Sequence, residues 1–204
     1  MEYIGALEGV KLLKFWNFAL PMKEGGLGGA NTLTGLKFEG RTDIVNSFKN
    51  LKGYKVEEKG DTDKWFELIY NDKIVAEIYK KHSFYKVFLK KHNIDWTKFL
   101  SAQLLPDQVL YIIQTNRLFI IEMKFQEVSG SVDEKLQTCE YKRQQYQKLV
   151  MDTGIKVEYC YILSSWFNQS KYKDVKEFIK LAGCDFFIEN LPFKILGIPE
   201  PEKD

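Results

Sequence analysis

A chain of 204 residues that is 45% hydrophobic and 15% aromatic can bury a full core as a single domain. Its formal net charge of +2 excludes a protein that grips nucleic acid through overall basicity, leaving local clusters such as Lys80-Lys81 and Lys90-Lys91, set among aromatics, as the basic surface. Cys139, Cys160 and Cys184 stand far apart without a CxxC pair, which indicates neither a zinc module nor a disulfide framework. No stretch approaches the ~18 apolar residues of a spanning helix, and no charged segment precedes an apolar leader, so a cytoplasmic protein with reduced thiols and no membrane contact is expected.

Residues 1–32 read as an N-terminal arm or linker. Within it, residues 10–16 are apolar enough for a short helix. Residues 24–31 are glycine-rich but lack the Lys-Ser/Thr ending of a P-loop, which favours a linker or a DNA-contacting arm over a phosphate cradle. A helix is predicted from Thr34 to about Asn50, with Phe38, Val45, Phe48 and Leu51 inward, ended by a turn at Lys52-Gly53-Tyr54. Residues 65–70 and 73–79 read as two strands around an Asn71-Asp72 turn, either extending a main sheet or forming an insertion. Residues 80–92 form a basic amphipathic helix with Phe84, Val87 and Phe88 on one face. Lys81, His82, Tyr85, Lys86 and Lys90 then point outward, as a phosphate-contacting surface or as a solvated one. The two histidines, His82 and His92, make no metal or nucleophile pattern. Asp95 opens a short helical turn.

The stretch from Pro106 to Lys135 organises the rest. Val109-Leu110-Tyr111-Ile112-Ile113 and Leu118-Phe119-Ile120-Ile121 are apolar and β-branched, and Gln114-Thr115-Asn116-Arg117 between them is a polar corner, which predicts a buried antiparallel hairpin. Pro106 cannot donate to a ladder and suits the start of the first strand. Antiparallel pairing brings Asp107, near the start of one strand, to Glu122, near the end of the other. Side chains alternate, so Glu122 and Lys124 share a face and Met123 points away. Such a gathering of charges beside an apolar hairpin is costly unless it serves a ligand. Phe125-Gln126-Glu127-Val128 is predicted to continue the strand with Gln126 on the face of Lys124, and Ser129-Gly130-Ser131 breaks it. Glycine there lets a backbone come close to a ligand, and the following amides and Ser131 can bind phosphate.

From Asp133 to about Met151 the chain reads as one long polar helix with Leu136, Cys139, Tyr146 and Val150 in a stripe that also holds Arg143, closed at Asp152-Thr153-Gly154. Residues 156–163 form a buried strand, which a helical crossover sets parallel to the strand of Glu122. A helix over 171–181 and a short strand over 184–188 follow, and the tail from Pro192 to Asp204 is expected to be irregular or frayed.

Pro106-Asp107, fourteen further residues, then Glu122-Met123-Lys124 resembles the PD-(D/E)xK signature of nucleases with a restriction-endonuclease-like fold. The resemblance implies an α/β (α+β mixed) domain across the chain, with a central mixed sheet flanked by helices. It implies that Asp107 and Glu122 hold Mg²⁺ together with the Met123 carbonyl. Lys124 orients or deprotonates the attacking water or stabilises the anion, and Gln126 holds the water or the scissile phosphate. Glu39 lies in a Gly-x-x-Phe-Glu context from which relatives draw a further acidic ligand. Ser129, Gly130, Ser131, Lys135, Lys142 and Arg143 are candidate DNA contacts. The implied activity is that of a type II restriction endonuclease: a Mg²⁺-dependent homodimer cutting double-stranded DNA, with a cognate DNA methyltransferase as a companion. The alternatives are a repair, recombination or transposon-end nuclease, towards which Gln137-x-x-x-Tyr141 leans by its similarity to RecB-like exonucleases, and a non-catalytic DNA-binding protein.

Overall fold

The computed structural model describes residues 37–38, 40–127 and 132–202. Among them the strands form one mixed sheet laid out in chain order: β1 (Tyr54–Lys59), β2 (Trp65–Tyr70), β3 (Lys73–Tyr79), β4 (Gln108–Ile112), β5 (Arg117–Lys124), β6 (Lys156–Leu163) and β7 (Asp185–Ile188). Pairing is antiparallel from β1 to β5 and parallel from β5 to β7. Tight turns set the antiparallel half: Asn71 and Asp72 both take positive φ (46° and 59°), the twist a two-residue hairpin needs. Because β3 pairs with β4, the hairpin of β2 and β3 belongs to the main sheet and is not an insertion. The parallel half needs crossovers, supplied by α2 (Val132–Leu136) and α3 (Cys139–Leu149) before β6 and by α4 (Lys173–Leu181) before β7.

Alternation along β5 divides the core. Leu118 and Ile120 face a layer that includes α3, the aromatic-rich helix at Phe84–Leu89, and α4, whereas Phe119, Ile121 and Met123 face α1 (Ile44–Lys49) and the C-terminal tail. Leu118, Ile120 and Ile121 are fully buried, each contributing about 1.5–3 kcal/mol of apolar transfer. A mixed sheet flanked by helices is thus the observed architecture. No described helix is long and apolar enough to cross a membrane.

Several local expectations are corrected. The helix predicted over 34–50 is interrupted at Thr42-Asp43: the Thr42 hydroxyl donates to the Phe38 carbonyl (2.9 Å) and the Asp43 carboxylate accepts from the Val45 amide (2.9 Å), which caps a new helix, α1. β1 follows where only a turn was expected. Residues 84–89 are wound as a π-helix, whose wider turn brings Tyr85 into the core and not onto the outer face. The long helix after the hairpin is two: the Thr138 hydroxyl donates to the Lys135 carbonyl (2.8 Å), competing with the helical ladder at that point. The tail is not frayed through Glu202. Leu196 and Ile198 are buried beside Phe38 and Phe48, the Tyr54 hydroxyl donates to the Pro199 carbonyl, and the Glu202 amide donates to the Lys52 carbonyl (3.2 Å). The N-terminal arm of residues 1–32, with its glycine-rich stretch, lies outside the described residues.

Candidate active site

Register brings the two carboxylates together. Gln108 pairs with Ile121, so Asp107, one residue earlier, stands opposite Glu122, one residue later. The Asp107 carboxylate accepts a hydrogen bond from the Met123 amide (2.9 Å) and so sits at the end of the ladder as an extra rung. Lys124, two residues beyond Glu122 on the same face, lies 2.8 Å from Glu122 Oε2 and 3.9 Å from Asp107 Oδ2. Its ammonium also donates to the Met123 carbonyl (3.3 Å). The Met123 side chain points to the opposite face, where its sulfur accepts from Thr42 (3.0 Å). The convergence expected of Asp107, Glu122 and Lys124 is therefore present, with the Met123 carbonyl beside the Lys124 ammonium.

The floor and roof come from β6 and α3. Glu122 is the register partner of Tyr161, so Tyr159 and Tyr161 share its face, and the Lys124 ammonium lies 5.9 Å from the Tyr161 ring centre. The Tyr161 hydroxyl donates to the Lys135 carbonyl (3.2 Å), fastening the end of α2 over the site. From α3, Lys142 donates to both oxygens of Glu122, at 2.6 and 2.8 Å. The Glu122 side chain is only 6% exposed. Burial, the largest influence, pushes its carboxyl up, but the combined ammoniums of Lys124 and Lys142 outweigh it and hold the group below its ordinary value. Burial and then the Glu122 charge push the Tyr159 phenol up, so it stays protonated beneath the site.

Gln126 is buried, but the ladder stops at Lys124, so Phe125 and Gln126 do not extend the strand. The Ser164 hydroxyl brackets the Gln126 main chain, accepting from its amide (3.2 Å) and donating to its carbonyl (3.1 Å). Arg143 is turned toward the corner after α4, where a Cβ on Gly183 would stand 3.7 Å from its guanidinium carbon. Lys135 is exposed at the end of α2. Glu39, Ser129, Gly130 and Ser131 lie outside the described residues. Gln137 and Tyr141 are both exposed, Tyr141 at 61%.

Lys142 is the residue whose place the sequence reading missed, by assigning it to the DNA backbone. The signal was there: Lys142 falls three residues after Cys139 and four before Tyr146, inside the buried stripe, where a lysine needs a carboxylate to meet.

Two carboxylates and a peptide carbonyl form an all-oxygen donor set, which suits a hard divalent cation that keeps several waters. Among the described residues no group of three or more His, Cys, Asp or Glu that could hold a metal ion gathers. The chain matches no protein-family model, and no curated protein matches it.

Proposed function

We propose that this protein is a Mg²⁺-dependent endonuclease of the PD-(D/E)xK type that hydrolyses phosphodiester bonds in double-stranded DNA, acting as a type II restriction enzyme does. The observation that supports the reading is the meeting of Asp107, Glu122, Lys124 and the Met123 carbonyl at one end of the central strands. A buried carboxylate flanked by ammoniums is expensive to assemble and adds nothing that apolar residues would not give to stability alone.

In this reading Asp107, Glu122 and the Met123 carbonyl would hold Mg²⁺, which when bound would make a water easier to deprotonate and offset negative charge on the phosphate oxygens. Lys124 holds the attacking water at the position where Glu122 and the Met123 carbonyl meet. The water oxygen bonds to phosphorus as the bond from phosphorus to the leaving sugar oxygen breaks. The water gives up a proton, the leaving oxygen takes one up, and the net change is the addition of one water. Tyr159 and Tyr161 form a protonated, apolar-sided floor that excludes bulk water from Glu122.

Incubating supercoiled plasmid with the protein in Mg²⁺ or EDTA tests this. Discrete fragments in Mg²⁺ alone are expected, with Asp107→Ala and Lys124→Ala each slowing cutting by about a thousandfold while keeping the circular dichroism spectrum. Variants that cut at the parental rate would refute the assignment. Degradation from ends would shift the reading to a repair-type nuclease, and tight DNA binding without cutting to a non-catalytic binding protein.

A further inference from the structure

One catalytic lysine accounts for the motif, yet Glu122 is held by two. Lys142 reaches it from another element, donating to both oxygens at 2.6 and 2.8 Å, while Lys124 takes only Oε2 at 2.8 Å. This is not a surface lysine that drifted to a neighbour. α3 is sewn down in the turn that follows Lys142: the Tyr146 hydroxyl donates to the Leu104 carbonyl (2.7 Å), and the Gln147 side chain accepts from the Val157 amide (2.9 Å) and donates to the Ile155 carbonyl (3.1 Å). Holding a lysine in one rotamer forgoes side-chain entropy, so the fold is arranged to present this ammonium to this carboxylate.

The two ammoniums are not equivalent. Lys124 is tied to three groups of its own hairpin: Glu122, the Met123 carbonyl and, at 3.9 Å, Asp107. Lys142 spans the gap from a different layer and is the more exposed, 27% against 17%. Three ammonium contacts fill most of the four or so lone-pair sites of the Glu122 carboxylate, so a divalent cation there competes with the ammoniums, and Lys142, reaching in from a separate element, is the one that can give way. Its flexible four-carbon stem then lets the charge swing toward the open side, where a phosphodiester approaches.

We propose that Lys142 is a second catalytic lysine, which holds Glu122 in this arrangement and, when the carboxylate is engaged by Mg²⁺ and DNA is bound, turns its hydrogen bonds onto a phosphate oxygen of the scissile group. Lys142 keeps all its protons in this role; it donates hydrogen bonds and transfers nothing. The inference rests on the nuclease reading above.

Two measurements test it on the full chain. Calorimetric titration of Mg²⁺ without DNA should show Lys142→Met binding about tenfold more tightly than the parent, because a competing cation has been removed. Single-turnover DNA cleavage at saturating Mg²⁺ should be about a hundredfold slower in the same variant, the loss expected when one donor to a developing anion is deleted. Lys142→Arg should recover part of the rate, and it carries the cleavage test if Lys142→Met does not fold. Unchanged Mg²⁺ affinity, or cleavage at the parental rate, overturns the proposal while leaving the nuclease reading standing. A parent protein that does not cut overturns both.

Discussion

Glu57 on β1 and Glu122 on β5 are each held by two lysines, the first on the rim of the sheet and the second beneath a helix. Glu57 meets Lys55 at 2.5 Å and Lys59 at 2.9 Å, and hydrogen bonds from these two lysines draw its carboxyl down to about 2. Glu122 meets Lys124 and Lys142 at nearly the same distances, and its carboxyl is also lowered, but against burial that works the other way. Around Glu57 water does most of the solvating, and exchange of either lysine for water changes little. Around Glu122 the ammoniums replace water, so the fold depends on them until something else supplies positive charge. The same trio of side chains stands at the rim in one place and is buried in the other, and depth is what separates them.

Activity is where the two should part most widely. Glu122→Gln should lower DNA cleavage by at least a hundredfold, whereas Glu57→Gln should cut at the parental rate in the same plasmid assay. If the two variants behave alike, the contrast in depth carries no functional meaning.

Stability comes next. Replacing both Lys124 and Lys142 by Met leaves a buried carboxylate without counter-charge and should cost about 3 kcal/mol in urea unfolding at neutral pH, a loss capped because the carboxyl then takes up a proton. The paired change Lys55→Met and Lys59→Met should leave the urea midpoint where it was. A comparable loss from the rim pair would show that exposure had been misjudged.

The smallest effect is in pH. Glu122 has a folded-state value below its ordinary one, so it stabilises the fold above the unfolded-state pKa, and that stabilisation is lost as pH falls through the lower folded-state value. Between about pH 5 and pH 3 the unfolding midpoint should fall more steeply for the parent than for Glu122→Gln. Glu57 follows the same sign, but about 0.5 M NaCl should erase its share and spare that of Glu122, since exposed pairs are screened and buried ones are not. An equal response to salt would remove the distinction.

The parts of this molecule that were legible in the sequence are those written in consecutive residues. The hairpin of β4 and β5 shows in two apolar runs and a polar corner, and its register alone carries Asp107 to Glu122. The parallel strand β6 shows in its closing run of apolar residues. What escaped depends on events between elements or on unusual winding. Tyr85 was turned outward by a 3.6-residue wheel that the π-wound turn does not obey. The Thr138 hydroxyl ends one helix and Asp43 opens another through single hydrogen bonds that no periodicity records. β1, YKVEEK, has only two apolar side chains, and its pairing with β2 is visible only once β2 is in place. Lys142 was read as a DNA contact, although its position on α3 belongs to the stripe that packs against β6.

The return of the C-terminal segment to the first described helix has a consequence for synthesis. Leu196 and Ile198 complete the same cluster that Phe38, Ile44 and Phe48 begin, and Pro199 is clasped by Tyr54 of β1. During translation, therefore, that side of the sheet is only partly lined, by α1, until residues 196–199 can fold back onto it, however early the other side has collapsed. A nascent chain held at residue 190 should remain sensitive to protease on that side, and release of some ten more residues should protect it in a single step.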